Sequence, residues 1–186
     1  MGNYESHRLR MLSRLVRGSS VLDLGCAAMP NRHLRARRVV AFDLRPVEPM
    51  PPYTESVMGD VNHLDDLLPG QRFDTILMGE LVEHLERPYD VLRSLRKHLT
   101  ADGRLILSTP NPLGLPVVVA EYLRLRRFFY TQEHTYYFPP RWVWRLLEGS
   151  GYRVLQTIGA GFPLAGWWAP APVSLSYHVL YVAVRA

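Results

Sequence analysis

Short apolar segments alternate with helix-like segments along most of this 186-residue chain, and several of the apolar segments end in an acidic residue. The pattern predicts strands at 20–24, 38–43, 54–60, 73–78, 104–108, 152–158 and 177–184. It predicts helices at 5–17, 80–85, 88–99, 117–127 and 140–149, with a short helix beginning near Pro30. Strands that alternate with helices favour an α/β fold, here a doubly wound, mostly parallel seven-stranded sheet with helices on both faces.

The composition is that of one globular domain without repeats or an interdomain linker, spanning residues 1–186. The net charge of +5 permits an anionic partner, but no basic run or aromatic RNA-binding signature is present, so no nucleic-acid partner is expected. The single cysteine and the lack of a signal-peptide pattern predict a cytoplasmic location. Residues 155–184 lack acidic, Lys and Arg residues, but glycines and prolines interrupt them, which favours strand, loop and strand over a membrane helix.

The ends of the predicted strands carry the residues with the most informative chemistry. In a doubly wound sheet, ligands bind outside the carboxyl ends of the strands. Asp23 and Gly25 lie at the end of the first predicted strand, Asp43 at the second, and Asp60 and Val61 at the third. Met78, Gly79 and Glu80 lie at the end of the fourth strand, and residues 108–112 at the end of the fifth. We expect these positions to converge on one crevice.

The loop after the first predicted strand distinguishes between two adenosine cofactors. An acid at the end of the second strand, here Asp43, can accept hydrogen bonds from both hydroxyls of a ribose. NAD additionally needs a G-x-G-x-x-G loop for its pyrophosphate, but Ala27 and Met29 stand where two of those glycines are expected after Gly25. S-adenosylmethionine (SAM) carries no phosphate, so the loop favours SAM and disfavours an NAD-dependent oxidoreductase. The alternatives are a simple turn at Gly25 and solvated acids at the strand ends.

Five motifs in order give the chain a family resemblance. VLDLGC at 21–26, Asp43, GDV at 59–61, FDTILMGELVEHL at 73–85 and DGRLILSTPNP at 102–112 resemble a class I SAM-dependent methyltransferase. The sequence is most similar to the small-molecule branch that includes the ubiquinone-biosynthesis O-methyltransferases. The resemblance runs from about residue 5 to the C-terminus and includes residues 133–154. It departs from the family at GCAAM, where G-C-G-x-G is usual, and the short interval to Asp43 implies a trimmed first helix.

The resemblance implies a Rossmann-like fold, SAM as cofactor with S-adenosylhomocysteine (SAH) as product, and methyl transfer to a small-molecule or lipid- or glycan-linked acceptor, favouring O-methylation. It also implies roles for individual residues. The methionine part of SAM would contact Asp23, Gly25, Cys26 and Ala27, with backbone contacts from Met78 and Gly79. The ribose would contact Asp43 and Leu44. The adenine would contact Asp60 and Val61. Because a buried carboxylate needs partners, Asp23 is expected to cap backbone N–H groups of the loop.

Glu80, Glu83 and His84 lie at i, i+3 and i+4, so a helix would place them on one face. One explanation is that these acidic side chains lie in the first turn of a helix, where negative charge interacts favourably with the helix dipole. A second makes His84 the general base for a hydroxyl acceptor. A third is a divalent-metal site, which the E-x-x-E-H motif of the ubiquinone O-methyltransferases implies, and the metal question stays open. His134 is the other candidate base, with a packing role as its alternative.

Residues 113–130 combine an apolar stretch with a basic and aromatic end, Arg124 to Tyr130. They predict a lid-like insertion at about 113–138 that covers a hydrophobic acceptor, or a segment that contacts an anionic membrane surface together with Trp167 and Trp168. A helix that merely covers the site is the simpler alternative. Because the loop GCAAM departs from the family pattern, the alternative to an active enzyme is a catalytically inactive methyltransferase-like module that binds a partner. The acceptor and the oligomeric state stay open.

Overall fold

The computed structural model describes residues 3–48, 50–123, 135–164 and 167–186. The strands are β1 (Ser20–Leu24), β2 (Arg38–Asp43), β3 (Glu55–Met58), β4 (Phe73–Gly79), β5 (Leu99–Pro110), β6 (Tyr152–Gly159), β7 (Phe162–Leu164), β8 (Trp167–Ala169) and β9 (His178–Arg185). Seven of them form one sheet in the order β3-β2-β1-β4-β5-β9-β6. Strands β1 to β5 pair in parallel, and β9 is antiparallel to both β5 and β6. The predicted seven-stranded, mostly parallel sheet is confirmed.

Helices cover both faces of this sheet, as predicted. The helices are α1 (Asn3–Leu15), α2 (Leu64–Leu67), α3 (Pro88–Leu95), α4 (Leu115–Tyr122) and α5 (Pro140–Gly149). Because side chains alternate along a strand, Leu22 packs in the cluster that contains α2, α3 and α5 residues, whereas Val21 packs with Leu9 and Leu12 of α1. No helix in the described part of the chain is long and apolar enough to cross a membrane.

The helix predicted near Pro30 is absent, and residues 25–37 form turns between β1 and β2. Side chains satisfy the polar groups of this connection instead of a helical ladder. The Asn31 N–H donates to the Tyr53 hydroxyl at 2.8 Å, and Asn31 Nδ2 donates to the Leu9 carbonyl at 3.1 Å. Both partners lie 22 residues away in the sequence, so the local pattern did not contain them, and the prediction of a helix here was wrong.

The helix predicted at 80–85 is also absent. Glu80 has a φ of +54°, which is incompatible with a right-handed helix, and only a 3₁₀ turn at Val82–His84 follows. In the C-terminal region, the predicted apolar loop contains the β7–β8 hairpin. Helix α4 covers the first part of the helix predicted at 117–127, whose last residues lie outside the described ones.

Candidate active site

A cleft of about 620 Å³ lies at the carboxyl ends of β1 to β4. Six of the predicted site residues line it: Gly25, Asp43, Leu44, Asp60, Val61 and His84. Residues that the sequence did not single out also line it, among them Ala28, Arg45, Asn62, Leu81 and Glu86. Asp23, Cys26, Ala27, Met78 and Gly79 are not among its lining residues. The predicted convergence of the strand ends is therefore observed, although half of the predicted cofactor contacts lie beside the cleft.

Gly25 allows the chain to turn from β1 into the wall of the cleft. Its φ is +71°, and a Cβ atom at this position would lie 3.3 Å from Cδ1 of Leu81. Its N–H donates to the Phe42 carbonyl at 2.8 Å, which fixes the turn against β2. A side chain here would both strain the backbone and reduce the cleft.

Asp43 holds the loop after β1. Its Oδ2 accepts the Ala27 N–H at 2.8 Å, and its Oδ1 accepts the Arg45 N–H at 2.9 Å. This is the capping role that we expected from Asp23, so that expectation was wrong. Because a carboxylate offers about four acceptor positions, both oxygens keep a lone pair for the hydroxyls of a ligand. Asp43 thus joins the loop to the cleft.

Asp23 is buried and bonded to a side chain that sequence analysis missed. Its Oδ2 accepts the Tyr53 hydroxyl at 2.7 Å. Burial raises the pKa of Asp23 to about 7, although the Tyr53 hydrogen bond acts in the opposite direction. Burial, with the charge of Asp23, also raises the pKa of the Cys26 thiol to about 12, so Cys26 is a packing residue with an unreactive thiol.

Asp60 lines the cleft and caps the start of the 3₁₀ turn Val61–His63. Its Oδ1 accepts hydrogen bonds from the backbone N–H of Asn62 at 2.9 Å and from the Asn62 side chain at 2.8 Å. Both bonds use the same oxygen, so Oδ2 keeps its acceptor capacity. An exocyclic amine of a purine is a suitable donor to such an oxygen.

Glu80 belongs to a polar network behind the cleft. Its Oε1 accepts the Ser108 hydroxyl at 2.9 Å, and its Oε2 lies 2.7 Å from Nε2 of His178. Arg8 of α1 donates to Ser108 Oγ at 3.0 Å, and its guanidinium lies 3.7 Å from Glu80 Oε1. Sequence analysis missed Arg8 and His178. The spacing of Arg8 and Leu12, one helical turn apart, could have indicated a buried arginine.

The Glu80 network bears on the metal-site alternative, which the sequence left open. Glu80 is turned toward Ser108 and His178, whereas Glu83 is buried in the 3₁₀ turn, so Glu80, Glu83 and His84 share no helix face. Within the described residues, no group of three or more His, Cys, Asp or Glu side chains is placed to hold a metal ion. The predicted base His134 and the aromatic end at 124–130 lie outside the described residues.

The charge of the cleft suits a cationic ligand. Among the described residues that line it, four are acidic (Asp43, Asp60, Glu80 and Glu86) and one is arginine, Arg45. SAM carries a sulfonium and an ammonium group against one carboxylate, whereas NAD carries two phosphates. The acidic lining therefore fits SAM and disfavours a dinucleotide.

A family model of the methyltransferase domain matches residues 3–157. This chain belongs to the class I SAM-dependent methyltransferase family. The ubiquinone biosynthesis O-methyltransferase of Dinoroseobacter shibae is 26% identical over 185 residues, covering 91% of this chain and 74% of that protein. The enzyme of the same name from Xanthomonas euvesicatoria is 33% identical over 135 residues, covering 64% of this chain and 54% of its own. The chain spans about half the length of most of these curated relatives.

Solved structures confirm the fold of this methyltransferase. A SAM-dependent methyltransferase from Thermotoga maritima superposes with a TM-score of 0.69 at 16% identity, covering 98% of this chain and 89% of that one. Magnesium protoporphyrin IX methyltransferase from Synechocystis, solved with bound SAH, gives a TM-score of 0.64 at 20% identity, covering 98% and 84%. At these identities the similarity establishes the architecture alone.

Proposed function

We propose that this methyltransferase binds SAM in the cleft and transfers the methyl group to a hydroxyl of a small-molecule or lipid-linked acceptor in the cytoplasm. The observation that carries the proposal is the succession of Asp60, Asp43 and Gly25 along the cleft. These residues offer an acceptor for the adenine amine, an acceptor for the ribose hydroxyls and an open backbone for the methionine part. Asp43 is the last residue of β2, whereas Gly25 and Asp60 come shortly after β1 and β3 of the same sheet.

When bound, SAM supplies an electrophilic methyl group that an acceptor oxygen attacks in line with the carbon–sulfur bond. The residues of the chain have two tasks, to align the acceptor and to receive its proton. His84 lines the cleft and is one candidate for the second task. The names of the curated relatives support O-methylation.

An apolar acceptor is supported by the surface of α4 and its flanks. Leu115, Val118, Val119 and Tyr122 are exposed on this helix, while Val117 and Ala120 face the core. Exposed apolar side chains in such a group are typical of contacts with hydrophobic ligands or membranes. We propose that this surface receives the apolar part of the acceptor, with peripheral membrane contact as its route.

Calorimetric titration of the purified protein with SAH tests the proposal. Micromolar binding is expected, and it would show that Ala27 and Met29 are tolerated in the loop. Absence of SAH binding by folded protein would favour the inactive partner-binding module, for which the loop composition is the supporting observation. Labelled SAM with a panel of hydroxyl, amine and carboxylate acceptors then tests the site of methylation. His84→Ala and His134→Ala should retain SAH binding, and the variant that loses turnover identifies the base.

A further inference from the structure

The loop between β1 and β2 forms one wall of the cleft, although it contains a single glycine and no helix. Gly25 and Ala28 of this loop line the cleft, and residues 25–37 form turns. Backbone N–H groups outside a helical ladder need other partners, and without them the segment populates several conformations. The contacts between this loop and the rest of the domain therefore determine what share of the protein is ready to bind a cofactor.

Tyr53, in the connection between β2 and β3, ties this loop to β1. Its hydroxyl donates to Oδ2 of Asp23 in β1 at 2.7 Å and accepts the Asn31 N–H at 2.8 Å. Burial raises the pKa of Tyr53, so the hydroxyl keeps the proton that it donates. One buried oxygen atom thus joins a strand of the sheet to the loop that follows it.

Asn31 carries this connection onward to α1. Its Nδ2 donates to the Leu9 carbonyl at 3.1 Å, and its Oδ1 accepts the Ser13 hydroxyl and the His33 N–H, each at 3.1 Å. The Asn31 side chain is buried, and these bonds use most of its hydrogen-bonding capacity. Helix α1, the loop and Tyr53 therefore form one continuous hydrogen-bonded unit.

Tyr53 is itself fixed by the core and by β2. Its N–H donates to the Met50 carbonyl at 2.9 Å, and the N–H of the next residue, Thr54, donates to the Val39 carbonyl of β2 at 2.8 Å. The Tyr53 side chain packs in the same hydrophobic cluster as Cys26 of the loop. Because the tyrosine has this support, its two hydrogen bonds restrict the loop.

Two side chains thus hold the loop at different points. Asp43 accepts the Ala27 N–H and lines the cleft, whereas Tyr53 acts four residues further along, at Asn31, and is not among the lining residues. We propose that Tyr53 is a positioning residue of the cofactor site, whose hydroxyl keeps the loop in the conformation that receives the methionine part of SAM. This inference rests on the proposed function and adds to it a residue that touches no cofactor atom.

Tyr53→Phe removes only the hydroxyl and tests this role. Ligand binding must then restore the loop conformation, so the apparent affinity falls with the share of protein in that conformation. Because the change removes two buried hydrogen bonds, one of them to a carboxyl group, calorimetry should show roughly tenfold weaker SAH binding, about 1.4 kcal/mol.

Tyr152→Phe is the matched control for this variant. The Tyr152 hydroxyl is also buried and donates to the Leu92 carbonyl at 2.8 Å, which links β6 to α3 away from the cleft lining. The same chemical change is made there, so Tyr152→Phe should lower the free energy of unfolding but keep the wild-type affinity for SAH. A loss of SAH affinity equal to that of Tyr53→Phe would contradict the positioning role.

A second ligand separates positioning of the loop from a general loss of structure. Methylthioadenosine has the adenosine and the sulfur of SAH but lacks its amino-acid part. Since Tyr53 acts on the loop that receives this part, Tyr53→Phe should weaken SAH binding roughly tenfold and methylthioadenosine binding by less than about twofold. Equal losses for the two ligands, or an unchanged SAH affinity, would overturn the inference.

The wild-type protein keeps the inference testable even where Tyr53→Phe does not fold. In ligand-free wild type, NMR hydrogen exchange should show that the Asn31 N–H exchanges far more slowly than an unprotected amide. Exchange at the unprotected rate in folded protein would overturn the inference while leaving SAH binding intact. If folded wild type bound neither SAH nor methylthioadenosine, the proposed function would fail, and the inference with it.

Discussion

Replacement of Asp43 by alanine should weaken SAH binding strongly, because one carboxylate serves both the loop and the cleft. In the structure, Asp43 accepts the N–H groups of Ala27 and Arg45 at 2.8 and 2.9 Å and lines the cleft at the position proposed for the ribose. Two hydrogen bonds from ribose hydroxyls to a charged acceptor contribute about 3 kcal/mol at the lower end of their usual range. That loss corresponds to roughly a hundredfold weaker binding.

Calorimetry with SAH measures this effect, and urea unfolding separates it from loss of structure. Asp66→Ala is the matched control, since Asp66 is an exposed acid of α2 outside the cleft lining. Asp43→Asn should fall between wild type and alanine, because an amide oxygen can still accept the Ala27 N–H. A change of less than about tenfold in the stable Asp43→Ala variant would refute the ribose role.

Three further predictions follow from the same geometry. The pKa of Asp23 rises on folding from 3.8 to about 7, so the folded protein retains a proton that the unfolded chain releases, and wild-type stability falls as the pH rises through this window. Asp23→Asn removes this effect, and its urea stability relative to wild type should increase by up to about 4 kcal/mol between pH 4 and pH 8; a constant difference would contradict the raised pKa. Gly25→Ala and Gly70→Ala should each lower the free energy of unfolding by about 1–2 kcal/mol, because both glycines have positive φ. Only Gly25→Ala should weaken SAH binding, since a Cβ at Gly70 meets no neighbour within 4 Å. Treatment with a chelator should leave SAH affinity and thermal unfolding unchanged; a loss of either would restore the metal hypothesis.

The strands and their polar ends were predictable because their signals are local. Buried strands such as β1 and β2 are short apolar runs, Asp43 is the last residue of β2, and Asp60 lies two residues after the end of β3. Parallel strands bring such ends to one edge, so the sequence predicted a crevice and several of its lining residues. The resemblance of the five motifs to class I methyltransferases implied that the cofactor is SAM.

Tertiary contacts decided what each acid does. The loop after β1 is held by Asp43, 16 residues from Ala27, while Asp23 is bonded to Tyr53, 30 residues away. The helices predicted near Pro30 and at 80–85 are absent for the same reason. Asn31 and Glu80 form hydrogen bonds with residues distant in the sequence, which a local pattern does not contain.

The sequence by itself determined the alternation of strands and helices, the acids at the strand ends and the glycine turn, because these depend on residue type and spacing along the chain. Only the tertiary structure decided that Glu80 joins Arg8, Ser108 and His178 in one network. Arg8 and Ser108 are 100 residues apart, and β9 inserts between β5 and β6 to bring His178 beside them. Contacts over such separations depend on the order of strands in the sheet, which no local segment of the chain specifies.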